Sequence, residues 1–131
     1  MIFTFETIEG FDVMHTSGLY TFESACALPQ QFQGAHSIND WVLPDRLTLL
    51  ALATLSEGIG GRHWSSSKHT IYPDFSWCVS FHNEHTFDQN HFAMYQVRLV
   101  RASQCFDICI EAAKRSMSEV GITPTAQGEN T

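Results

Sequence analysis

The stretch HWSSSKHTIYPDFSWCVSF, residues 63–81, decides how this chain is read. Its second half alternates strictly. Phe75, Trp77, Val79 and Phe81 fall on one side, Ser76, Cys78 and Ser80 on the other, which is the period of a strand with one apolar face. The first half sets an indole, Trp64, directly before three hydroxyls, Ser65, Ser66 and Ser67. A hydroxyl-rich run can hold a nucleophile, but that chemistry needs a base oriented by an acid. Gly-x-Ser-x-Gly is absent, and Ser65 with Lys68 satisfies Ser-x-x-Lys without its companion motifs. The expectation is therefore scaffold: Trp64 anchors the chain where it enters the sheet. Ser65, Ser66 and Ser67 use short side chains to hydrogen-bond a tight backbone passage.

Working outward toward the C-terminus, HNEHTFDQNHFA (82–93) reads as a polar loop. MYQVRLVRA (94–102) alternates again, with Tyr95, Val97 and Leu99 opposite Gln96, Arg98 and Val100, and is expected to pair with 75–81 as a hairpin. SQCFDICIEAAKRSMSEVG then reads as an amphipathic helix over about 104–120. Ser103 is its cap, and Phe106, Cys109, Ile110, Ala113, Met117 and Val120 form its buried stripe. Residues 122–131 read as a flexible tail.

Toward the N-terminus, IFTFETIEGFDVMH predicts two strands turning at Glu9-Gly10, with Phe3 and Phe5 on one face of the first. A short helix follows, capped by Thr21 and favoured by Glu23, burying Phe22, Ala25 and Cys26 and broken or kinked by Pro29. WVLPDRLTLLALATLSEG predicts a second helix. Pro44 sits at its first position, Asp45 near its positive end, and Leu47, Leu50, Ala51 and Leu55 on its inner stripe, widened by Leu49 and Leu52.

The 131 residues, 44% hydrophobic and 16% charged with ten Phe and three Trp, fit one folded domain over 1–121. A net charge of −7 argues against direct binding to nucleic acid. Glu6, Glu9, Asp12, Glu23, Asp40 and Asp45 all precede the first basic residue, Arg46, and could form an acidic partner surface. Arg98 and Arg101 on the closing strand are the expected ion-pair partners of those acids, Asp40 or Asp45 in particular. The four cysteines form no CxxC pair, and no leader-like or membrane-length apolar run stands out, so reduced thiols, a cytoplasmic location and no membrane contact are expected.

Over residues 20–102 the order of features resembles the Lcl C-terminal domain family. Carrying the resemblance are Asp40, Trp41, Leu43, Pro44, Arg46, Leu49 and Leu52, then Trp64 to Ser67, Trp77, Phe81, Val97, Arg98, Val100 and Arg101, with Thr48 where the family has Glu. The resemblance implies an α+β, C-type-lectin-like fold, with two helices around a small twisted antiparallel sheet and the C-terminal helix added to it. It also implies a binding domain without catalysis, with small phage and prophage members. Glu-Pro-Asn and Gln-Pro-Asp loops are absent, so calcium-dependent sugar binding is not expected. Cys105 and Cys109 lie outside the resemblance, and no cofactor or metal is assigned.

The functional expectation is a non-enzymatic, phage- or prophage-encoded protein-binding module acting through two display loops. One offers Lys68, His69, Tyr72 and Asp74. The other offers His82, Asn83, Glu84, His85, Asp88 and His91. Trp41, Pro44, Trp64, Ser65, Ser66, Trp77, Arg98 and Arg101 are the scaffold. A sharper alternative is an inhibitor of a host defence complex, anti-CRISPR-like, whose acidic surface fills the basic channel of a host nucleoprotein. The opposing class is a hydrolase or metal-dependent enzyme using Ser65 or the His82–His91 loop.

Overall fold

A computed structural model describes residues 3–119, with side chains placed to Met117, so Val120 and the 122–131 segment lie outside the described residues. The chain opens with β1 (Phe3–Ile8) and β2 (Phe11–Tyr20), paired from Phe3↔Thr16 to Ile8↔Phe11. Glu9 and Gly10 both take positive φ, 51° and 85°, the two-residue turn whose twist matches a hairpin. Helix α1 (Phe22–Phe32) starts at Thr21, whose hydroxyl accepts from the Ser24 N–H, and it buries Phe22, Ala25, Leu28 and Phe32. One expectation fails here, since Cys26 is exposed. Pro29 lies inside the helix and does not end it, because burial of Leu28 and Phe32 on either side of it holds the last turn.

After β3 (Trp41–Val42) comes α2 (Arg46–Leu55). Asp45 is its N-cap, with Oδ1 accepting from Thr48 N–H at 2.8 Å, so Pro44 stands ahead of the cap and not at the first helical position. Its inner face is Thr48, Leu49, Leu52 and Leu55, with Ala51 and Ala53 beside them, while Leu47 is 69% exposed. Four strands follow: β4 (Arg62–Lys68), β5 (Phe75–Ser80), β6 (His85–Asn90) and β7 (Tyr95–Arg101). A 3-10 turn holding Ser103 leads into α3 (Cys105–Glu119), so Ser103 precedes the helix by a residue more than a cap would.

The seven strands form one mixed sheet in the order β1-β2-β7-β4-β5-β6, with β3 paired to β7. The expected hairpin between 75–81 and 94–101 does not form. β7 lies between β2 and β4, antiparallel to the first and parallel to the second through His63↔Gln96. β5 pairs instead with β4 and β6. The small antiparallel sheet of the expectation is thus a larger mixed one. Much of the supposed 82–93 loop is strand β6, whose polar sequence HTFDQN carries no buried residue. An edge strand with little to bury shows no apolar alternation.

Both faces of the sheet are covered. Ile8, Val13, Val79, Phe81 and Val100 pack beneath α2 and α3. On the opposite face, Met14, Trp64, Cys78, Val97 and Leu99 pack beneath α1 together with Trp41 and Leu43. Because β2 and β7 lie centrally, Val13 and Met14, like Leu99 and Val100, are neighbours buried on opposite sides. Helix α3 also departs from its expected stripe. Ile108 and Ala112 are buried with Cys105 and Cys109 against them, while Phe106 is 74% and Ile110 39% exposed.

Candidate binding surface

Between Trp64↔Cys78 and Lys68↔Ser76 the β4–β5 ladder sets four steps of β4 against two of β5, a bulge that strips backbone groups of ladder partners. The serines fill the gap. Ser65 Oγ donates to the Trp77 carbonyl at 2.7 Å and accepts from Ser67 N–H at 3.2 Å. Ser66 N–H donates to the Pro44 carbonyl at 2.8 Å, and Arg46 N–H donates to Ser67 Oγ at 2.9 Å, so the bulge also seats the start of α2. The Trp64 indole donates to the Tyr20 carbonyl at 2.6 Å. Trp64 and Ser65 are fully buried and Ser66 is exposed. With both roles of its hydroxyl taken by backbone, Ser65 cannot act as an accessible nucleophile.

That framework holds two turns at one end of the sheet, 69–74 and 91–94. His69 organises the first. Its Nδ1 accepts the N–H groups of Ile71 and Tyr72 at 3.1 and 3.2 Å, which leaves the proton on Nε2, 3.5 Å from Asp88 Oδ2. Its ring stacks on Trp77 at 5.3 Å, and the Arg46 guanidinium lies 4.3 Å from the Trp77 ring centre. His91 N–H donates to the Asp74 carbonyl at 2.9 Å, joining the two turns. The His91 ring stacks on Phe22 at 4.4 Å and meets Ser76 Oγ at 2.8 Å, so it is a structural group. Around this support Ile71, Tyr72, Phe92 and Met94 are 73%, 56%, 86% and 53% exposed, with Lys68 and Asp74 also exposed.

The second expected display loop is divided. His82, Asn83 and Glu84 form the β5–β6 turn at the other end, separated from His91 by the length of β6, about 20 Å. Glu84 is tied to α2 by the Thr54 hydroxyl at 2.8 Å. Asn83 and His85 line a shallow cavity of about 310 Å³ with Arg62, Phe87, Gln89 and Tyr95. His82, His85 and His91 therefore do not converge, and among the described residues no three His, Cys, Asp or Glu side chains gather as a metal site. Burial pushes the Cys78 and Cys105 thiols up, away from nucleophilic thiolate.

The six early acids do not form a bare acidic face. Glu6 accepts from Arg98 Nε at 3.0 Å, Asp40 and Asp12 both meet Arg101, Glu9 meets Arg115, and Asp45 caps α2. Glu23 stands exposed in the first turn of α1 with no ion pair among the described residues. Hydrogen bonds from Ser103, then Arg101, hold Asp40 down to about 2. On the α2/α3 face Arg98 also reaches buried His63. Guanidinium only donates, so the His63 Nε2 it faces is unprotonated. Burial first, then Arg98 and His15, lower that histidine to about 3, and its buried Nδ1 has no hydrogen-bond partner among the described residues.

Residues the sequence reading missed are Ile71, Phe92 and Met94, whose signal was an apolar side chain inside a turn, outside any alternation. Arg46 and Tyr95 were missed because their roles depend on non-local pairing. Among the described residues no helix is long and apolar enough to cross a membrane. No family model, curated protein or solved structure matches this chain.

Proposed function

We propose that this protein is a non-enzymatic protein-binding module whose contact surface is the paired 69–74 and 91–94 turns. One observation carries the reading: Ile71, Tyr72, Phe92 and Met94 are all more than half exposed on two turns locked together by His91 and Asp74. Exposed apolar groups clustered on a rigid support mark recognition sites, and aromatic anchors supply most binding energy. The His69–Trp77–Arg46 stack fixes the platform, so little ordering entropy is lost on association. The engaged, buried Ser65 and the dispersed histidines favour binding over catalysis.

We also read the fold as C-type-lectin-like. Support comes from the resemblance residues forming one spatial unit: Ser66 meets Pro44, Ser67 meets Arg46, and Trp41 pairs with Arg101. The ion pairs of Glu6, Asp12 and Asp40 with Arg98 and Arg101 favour the binding-module reading over a charge-driven inhibitor.

The test is capture from a bacterial lysate with quantitative mass spectrometry, comparing wild type with Ile71→Asp/Phe92→Asp and with Arg62→Ala/His85→Ala. A partner lost only with the first pair supports the proposal. A partner indifferent to that pair and lost with the second would place recognition at the opposite end.

A further inference from the structure

We infer that α3 is a self-association surface and that this protein pairs through it with a second copy of itself, the two α3 helices antiparallel. The helix carries two apolar stripes. One, Cys105, Ile108, Cys109 and Ala112, is consumed by α2 and the sheet. The other, Phe106, Ile110, Ala113 and Met117, repeats at spacings of four, three and four, the seam of a coiled coil. Phe106 is 74% exposed, Ile110 39%, Ala113 is exposed and Met117 partly so. Beside this seam runs an apolar groove of about 310 Å³ between α2 and α3, lined by Leu47, Leu50, Ala51, Cys109, Ala113 and Ser116.

Charge selects a second, antiparallel copy. The seam is bulky at both ends, Phe106 and Met117, with Ile110 and the small Ala113 between them, and Ala113 borders the groove. Antiparallel pairing sets Phe106 against the other copy's Met117 and Ile110 against its Ala113, a self-complementary contact of the isologous kind. Asp107 and Lys114, both exposed, lie seven residues apart on one flank of the seam. Running the helices in opposite directions sets Asp107 beside the other copy's Lys114 twice over, whereas a parallel pair sets like charges level. Fifteen residues give a helix of about 22 Å, room for two heptads of contact. This face is built from α2 and α3 and uses no residue of the 69–74 and 91–94 turns, so it does not depend on the binding reading.

Sedimentation velocity on the full chain, at concentrations up to about 100 µM, tests it. Wild type should sediment at twice its 14.8 kDa mass. Phe106→Glu should sediment as monomer with unchanged circular dichroism, since the ring is exposed. Lys114→Asp should weaken the dimer about tenfold or more, and Asp107→Lys/Lys114→Asp should restore it. The charge variants sit at exposed positions and keep the test decisive even if Phe106→Glu disturbs folding. A monomeric wild type overturns the inference, as does a charge exchange that fails to rescue.

Discussion

Acidification should unfold this protein through His63. The ring is fully buried and its pKa is lowered from 6.5 to about 3 by burial, then by Arg98 and His15. The unfolded chain therefore binds a proton as pH falls below 6.5 while the native one stays neutral, so stability present above that pKa is lost on the way down toward 3. From those two values, lowering the pH from about 7.5 to about 5 removes about 2 kcal/mol from this group alone. His63→Gln keeps an acceptor for Arg98 but cannot titrate in this range. Urea denaturation of both proteins at both pH values isolates the contribution, because His15, whose pKa is also lowered by burial, and the Glu6–Arg98 pair remain in each. Wild type should lose about 2 kcal/mol more than the variant across the interval. Equal losses would refute the reasoning, showing that the native state admits the proton or water at His63.

Further substitutions address the scaffold. Ser65→Ala leaves the Trp77 carbonyl and Ser67 N–H without their hydroxyl partner and should cost about 1–3 kcal/mol in a thermal melt, whereas exposed Ser66→Ala should stay within about 0.5 kcal/mol of wild type. Asp45→Ala removes the α2 cap and should cost about 1 kcal/mol by chemical denaturation. Gly61→Ala places a Cβ 2.6 Å from Gln96 Nε2 at φ +99°. It should cost at least about 1–2 kcal/mol, and adding Gln96→Ala should recover the contact but not the backbone strain.

Local chemistry was readable in the sequence wherever neighbours in the chain settle the outcome. Glu9-Gly10 forms its turn, Thr21 caps α1, and Phe75–Ser80 and Tyr95–Arg101 are strands. What depended on distant partners was not readable. Nothing in FSWCVS and YQVRLVR reveals that the two are separated by β4, and α3 carries enough apolar residues for two stripes, so periodicity could not choose its buried face. The site divided in the same way. His69 and Tyr72 were found from their turn, but Phe92 and Met94 join them only because β6, which looked like a loop, carries the chain back to the same end.

The position of β7 bears on how the protein is made. It is the last strand among the described residues, yet it sits between β2 and β4 and joins the N-terminal hairpin to the β4-β5-β6 meander. A nascent chain that has not yet emerged past about residue 100 holds two separate ribbons, each with a pairing edge open to solvent. Closure waits for contacts spanning most of the chain, which places this molecule among slow folders and leaves those edges exposed to chaperones or neighbouring chains during synthesis.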